Sequence, residues 1–309
     1  MKVVIAEFMD ESAVSALLRR FDVRYDPSLF ERRDDLLAGL ADVDALIVRN
    51  HTQVNAELLA RAPRLRVVGR LGVGLDNIDV AACAARGIEV IPATGANALA
   101  VAEYVVCTAM LLLRGAYLST ADVAAGKWPR GRLGEGRETS GRTLGVVGFG
   151  GIGRLVAKLA QGLGMKVLAN DAAITAADAV WRESGVAYRG LDDLLAESDA
   201  VTLHVPLTQT TRHLISAGRL ARMKRGAVLI NTARGGVIDE DALAESLAGG
   251  HLAGAALDVF EIEPLPAGSP LAGAPNLVLT PHIAGVTREA NARVSGMIAE
   301  KVAAALARS

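Results

Sequence analysis

Cysteine is almost missing from this 309-residue chain: only Cys83 and Cys107 occur, with no CxxC pair and no His/Cys cluster at metal-ligand spacing. That excludes a disulfide framework and a structural zinc site, and the two thiols read as buried and reduced. Aromatics are scarce too, 4% of residues against 51% hydrophobic overall, which argues against a strand-rich sandwich and for parallel strands covered by small-residue helices. Neither sign of charge prevails. With 33 Lys and Arg against 34 Asp and Glu, no global field attracts nucleic acid or an anionic membrane, so any anion selectivity must be local. A long hydrophobic run is also lacking: the longest apolar stretch, residues 98–113, is interrupted by Glu103 and falls short of the ~20 residues a membrane span requires. It reads as a buried helix at a domain or subunit interface. The opening MKVVIAEF is a strand running into an acid rather than a signal-peptide core. With no export signal, the expected location is the cytoplasm.

What is present is alternation. Apolar strands near 2–7, 44–48, 66–70 and 88–91 are separated by helical stretches near 10–20, 31–40, 55–61 and 76–86. A polar, Gly-rich loop at 128–143 breaks the pattern, and a second series places strands near 143–148, 165–169, 199–203, 227–231, 252–257 and 277–280. The expected fold class is α/β, two Rossmann-like doubly wound parallel-sheet domains with a cleft between them. The last stretch puts Val286, Ala290, Val294, Met297, Ile298 and Val302 on one helical face that needs a surface to cover. Right-handed crossovers return chain ends over a sheet, so this helix is expected back on the first domain, giving residues 1–97 plus 287–309 as one domain and 98–286 as the other.

Within the second series, Gly148-x-Gly150-x-x-Gly153 follows a Val-rich strand and opens an amphipathic helix carrying Leu155, Val156, Leu159 and Leu163. Asp171 ends the next strand, at the spacing expected of an acid that binds ribose hydroxyls. The glycines permit a tight turn and let the helix N-terminus point its N–H groups at a pyrophosphate. Asp171 would repel a 2′-phosphate, and the following AAIT offers no arginine to reverse that, so NAD is expected rather than NADP.

Three further segments carry ionisable groups at strand ends: NTARGG with Arg234, LDVFEIEPLP with Asp258 and Glu263, and LTPHIAGVT with His282. An arginine closing a greasy strand keeps a permanent charge beside the core, which suggests an anionic ligand. The order Arg, Glu, His, together with GRLGVGLDNID, GFGGIG, LHVPLT, LINTARGGVIDE and TPHIAG, resembles the D-isomer-specific 2-hydroxyacid dehydrogenase family over essentially the whole chain. The resemblance implies a substrate-binding domain made of both chain ends and an inserted NAD-binding Rossmann domain. It implies His282 as general acid/base, Glu263 as its partner favouring the charged imidazole, and Arg234 as the group holding the substrate carboxylate. The backbone of Val73 and Gly74 is expected at the same carboxylate. Gly148, Gly150, Gly151, Ile152 and Gly153 are expected at the pyrophosphate, Val205 and Pro206 near the adenosine, and Thr232, Ala233, Asp258 and Gly285 around the nicotinamide. Two departures stand out, GFGGIG where the family usually has GxGRIG, and NDA where it usually has YDP.

Arg49 and Arg70 both follow first-domain strands, and two arginines suggest a second anion on a small 2-hydroxy acid. The segments around them resemble those of 3-phosphoglycerate dehydrogenases and (S)-sulfolactate dehydrogenases, and IAEFMDE, YDPSL and RNHTQV favour the latter. A hydroxypyruvate or glyoxylate reductase is the alternative within the class. An NADH-sensing corepressor is the alternative outside it, disfavoured by the compact length. The chain lacks the C-terminal regulatory domain of some phosphoglycerate dehydrogenases, so feedback through such a domain is not expected. The 98–113 helix and AGKWPR around Trp128 resemble a family dimerisation region, implying a homodimer.

Overall fold

A computed structural model describes residues 1–308. The chain divides into two compact units, Met1–Asn97 together with the segment from Val286 onward, and Ala98–Gly285. The α/β class expected from the alternation is the class observed, and every strand pairing in both sheets is parallel.

The first unit holds β1 (Lys2–Ile5), β2 (Asp22–Tyr25), β3 (Ala45–Val48), β4 (Val67–Arg70) and β5 (Glu89–Pro92) in the order β2-β1-β3-β4-β5. The central strands are continuous apolar runs because helices cover both faces. On one face the C-terminal helix Arg288–Ala307 buries Val294, Ile298 and Val302 against Val3, Ile5, Ile47 and Val67. It approaches so closely that a Cβ added at Gly69 of β4 would lie 2.8 Å from Val302 and 2.9 Å from Ile298. The opposite face is covered by Leu36, Leu40, Leu58 and Cys83. Val286, expected on the buried face of that helix, precedes its N-cap Thr287 and is exposed. The helix expected at 31–40 is a 3-10 turn, Leu29–Glu31, followed by Arg33–Ala38.

The second unit holds β6 (Thr143–Val147), β7 (Lys166–Asn170), β8 (Ala187–Tyr188), β9 (Ala200–Leu203), β10 (Val228–Asn231), β11 (Gly254–Leu257) and β12 (Leu277–Leu279), ordered β12-β11-β10-β9-β6-β7-β8. The order reverses between β6 and β9, and ligands of open α/β sheets bind outside the carboxyl ends of strands at such a switch point. Helix Gly151–Gly162 covers the sheet through Val156, Ala157 and Ala160 and packs with helix Ala98–Arg114 through Val101, Val105 and Leu112. That second helix is only half buried. Glu103, Cys107, Met110 and Arg114 recur at helical spacing on its exposed face, so Cys107, expected to be buried, is exposed on the same side as two charges. The loop at 128–143 contains a short helix, Arg130–Leu133. No helix among the described residues is long and apolar enough to cross a membrane.

Candidate active site

At the switch point, β6 ends on Val147 and the chain turns at Gly148, whose φ of 95° lies in the left-handed region that favours glycine. A Cβ there would overlap the His204 carbonyl beyond β9, and one at Gly153 would overlap the Gly148 carbonyl. The loops after β6 and β9 and the first turn of the following helix are therefore in mutual contact. Gly150 and Gly151, by contrast, face open space where a side chain would point. This leaves the helix N-terminus open where its N–H groups can receive an anion such as a pyrophosphate. Ile152 is half-buried beside it. Asp171, just past β7, accepts the N–H of Phe149 at 2.6 Å and of Ala173 at 2.8 Å, so the acid and the glycine turn are fixed to each other. Val205 lies 3.1 Å from the Cβ position of Gly148, and Pro206 is exposed with its carbonyl accepting from Thr211 at 2.6 Å. Burial lowers the His204 imidazole to about 4, and its Nε2 lies 3.0 Å from the Thr202 hydroxyl.

Three neighbouring strands, β10, β11 and β12, deliver the acid–base groups. The Asn231 side chain donates to the Arg234 carbonyl at 2.9 Å and accepts from the Ala233 N–H at 3.0 Å, shaping the turn that carries the guanidinium. The Asn231 carbonyl accepts from Asp258 N–H at 3.0 Å, and the Asp258 carbonyl from His282 N–H at 2.8 Å. Arg234 and His282 are thus tied to one edge through two hydrogen bonds of the intervening strand ends. A Cβ at Gly235 would overlap the Phe260 carbonyl, so the Arg234 turn sits against the loop leading to Glu263. Glu263 Oε1 accepts from Phe260 N–H at 3.0 Å, while Oε2 lies 2.8 Å from His282 Nδ1. The peptide Glu263–Pro264 is cis, and His282 has a φ of 54°. Thr232 presents a buried hydroxyl with no hydrogen-bond partner among the described residues, a polar atom left for a ligand. Ala233 is half-buried, and half-buried Gly285 ends the unit.

Asp258, expected around the nicotinamide, directly follows β11. It is 1% exposed, and its carboxylate accepts from the Thr280 hydroxyl at 2.6 Å and from Ile283 and Ala284 N–H, each at 2.8 Å. Those contacts hold the segment bearing His282. Tyr104 extends the network, 2.7 Å from the Thr280 hydroxyl.

In the first unit Val48 pairs with Arg70, so Arg49 and Arg70 both stand at the carboxyl ends of the neighbouring strands β3 and β4. The Arg70 guanidinium lies over Gly72, where a Cβ would overlap it, and Val73 and Gly74 follow, Val73 being 38% exposed. Sequence reasoning passed over Asn231, Thr280, Asn77, Glu7 and Asn291. Asn77 donates to the carbonyls of Arg49 at 3.2 Å and Thr52 at 2.7 Å. The Asn in NTARGG and the Thr in TPH were visible as polar residues closing greasy strands. Nothing local marked the others.

A glycine cradle at a switch point, an acid on the neighbouring strand and an arginine, carboxylate and imidazole along the same sheet edge define a dinucleotide-dependent oxidoreductase. Similarity to known proteins carries this to a family. Residues 106–284 match the family described as "D-isomer specific 2-hydroxyacid dehydrogenase, NAD binding domain". The (S)-sulfolactate dehydrogenase of Chromohalobacter salexigens is 57% identical over 98% of both chains. The D-3-phosphoglycerate dehydrogenase of Archaeoglobus fulgidus is 40% identical over 98% of this chain and 56% of its own length. The structure of D-lactate dehydrogenase from Aquifex aeolicus with NAD and lactic acid superposes with a TM-score of 0.83 at 29% identity, covering 100% of this chain and 96% of that one. The chain belongs to the D-isomer-specific 2-hydroxyacid dehydrogenase family. It is an NAD-dependent oxidoreductase of 2-hydroxy acids.

Proposed function

We propose that Arg234, His282 and Glu263 carry the chemistry. The Arg234 guanidinium clamps the substrate carboxylate and polarises the oxygen at C2. His282 Nδ1 is engaged by Glu263, so Nε2 is the nitrogen that exchanges a proton. It takes the C2 hydroxyl proton in oxidation and returns it to the carbonyl oxygen in reduction, and Glu263 stabilises the imidazolium between the two. Bound NAD supplies the hydride acceptor, and NADH the donor, at the nicotinamide. Gly148, Gly150, Gly151, Ile152 and Gly153 hold its pyrophosphate, Asp171 its ribose hydroxyls, and Val205 with Pro206 its adenosine. Thr232, Ala233, Asp258 and Gly285 surround the nicotinamide, and Asp258 also holds the segment bearing His282. The observation that carries this assignment is the 2.8 Å Glu263–His282 contact on the edge where the Arg234 turn is anchored.

The substrate we assign is a small 2-hydroxy acid with a distal sulfonate, bound at that end by Arg49 and Arg70, with Val73 and Gly74 backbone at its carboxylate. The 57% identity to an (S)-sulfolactate dehydrogenase and the two arginines support it. A panel of NADH oxidation with sulfopyruvate, phosphohydroxypyruvate, hydroxypyruvate and glyoxylate tests it. Sulfopyruvate should give the highest kcat/KM, and preferential turnover of glyoxylate or hydroxypyruvate would replace this reading with a simple reductase. The exposed Leu99, Met110, Tyr117, Val123 and Trp128 form an apolar surface that a second copy of the chain would cover, hence a homodimer. A monomer in equilibrium sedimentation at micromolar concentration would reject it. The cytoplasm, where NAD is at hand, is the location this reading implies.

A further inference from the structure

A half-buried arginine ordinarily finds a carboxylate, because burial penalises an unpaired charge. Arg49 has one within reach of its own backbone. Glu7, just beyond β1, is 2% exposed; its charge favours the charged guanidinium against burial, yet its oxygens are hydrogen-bonded to backbone instead. Its Oε1 accepts the N–H of Arg49 at 2.8 Å and of Thr52 at 3.0 Å, and its Oε2 those of Asn50 and His51, each at 3.1 Å. Four donors occupy the lone pairs of both oxygens. Burial pushes this carboxyl up, and the N–H groups of Thr52, Arg49 and His51 outweigh that and hold it below the usual carboxylate range. The oxygens of Glu7 thus fix the loop, and the guanidinium takes its hydrogen bond elsewhere.

The side chains it contacts directly are neutral. Nη2 donates to Asn291 Oδ1 at 3.0 Å, and Cζ lies 5.8 Å from the centre of the Phe8 ring. Since an arginine can only donate, the carbonyl side of the Asn291 amide must face it. A carboxamide orients the fork without cancelling its charge. An aspartate at the same place would orient it equally well and neutralise it.

We propose that Asn291 is a specificity-determining positioning residue: it latches the Arg49 guanidinium through an uncharged acceptor, so that no further carboxylate competes with the distal anion of the substrate for it. The inference rests on the reading of Arg49 as the distal-anion residue. Asn291 lies in the first turn of helix Arg288–Ala307, with its N–H bonded to the Thr287 carbonyl at 2.9 Å. Acidic side chains are welcome in a first helical turn, so Asn291→Asp changes the charge at Arg49 without opposing the helix.

The test compares kcat/KM for sulfopyruvate and for glyoxylate, which lacks a distal anion, in the native enzyme, Asn291→Asp, Asn291→Ala and Arg49→Ala, with urea midpoints confirming that each is folded. Asn291→Asp should lower the sulfopyruvate-to-glyoxylate ratio by about tenfold or more, mainly through KM for sulfopyruvate, because a carboxylate now competes with the substrate for Arg49. Asn291→Ala should lower it less, since the fork loses its orientation and keeps its charge. A ratio within about twofold of native in Asn291→Asp, alongside a large drop in Arg49→Ala, overturns the role of Asn291 and leaves the distal-anion reading standing. Equal losses on both substrates in Arg49→Ala overturn that reading and this inference with it.

Discussion

The neutral imidazole of His204 makes a quantitative prediction about acid sensitivity. The group falls from 6.5 to about 4 on folding because it is buried. Below its unfolded value the unfolded chain binds the proton and the native state refuses it, so stability rises with pH between the two values. The contribution is complete above 6.5 and is lost as pH falls toward 4. A tenfold change in proton affinity is worth about 1.4 kcal/mol, so the full loss approaches about 3 kcal/mol, of which about 2 kcal/mol has gone by about pH 5. That is a sizeable share of a typical folding stability of about 5–15 kcal/mol. His204→Gln keeps a polar partner for Thr202 and cannot titrate in this range. Urea unfolding followed by circular dichroism, without NAD, at about pH 7 and about pH 5 reads the effect above the range where carboxylates such as Glu7 lose their charge. The variant should lose about 2 kcal/mol less than the native chain between the two conditions. Equal losses in both would refute the argument that His204 is held neutral by burial.

Gly153→Ala should weaken NAD binding by about tenfold or more with a modest fall in melting temperature, as the added methyl displaces the Gly148 carbonyl; isothermal titration measures it, and native affinity would mean the loop relaxes freely. Asp171→Ala should narrow the preference for NAD over NADP by about tenfold, read as a ratio of kcat/KM values. Glu263→Gln should lower kcat by about tenfold to a hundredfold with little change in KM for NAD, because the imidazolium loses its carboxylate partner; a kcat equal to native would remove Glu263 from the mechanism.

The dinucleotide fingerprint was legible because Gly148, with its left-handed φ, and Gly153, packed against the Gly148 carbonyl, stand where a side chain does not fit, and the central strands because burial on both faces demands an unbroken apolar run. β2, Asp-Val-Arg-Tyr, was missed for the opposite reason: an edge strand, half exposed, needs no such run. β8 has two residues and no pattern to read. Cys107 was misread because composition says a thiol prefers burial, whereas Glu103 and Arg114 on the same helical face mark it as outward. The contacts that Thr280, Ile283 and Ala284 make with Asp258 were not legible, because they come from more than twenty residues away. The Glu7 loop clamp and the Arg49–Asn291 contact span 42 to 45 and 242 residues respectively, distances over which local pattern carries no information.

The close seating of Val302 and Ile298 over Gly69 bears on the order in which the molecule matures. The first five strands are synthesised before residue 98, yet one side of their sheet waits for side chains translated after residue 285. The 98–285 region, in contrast, is complete in one stretch and can consolidate while the remainder is still being made. Removing the final helix would therefore strip the early sheet of its cover while sparing the glycine cradle and the His282 edge.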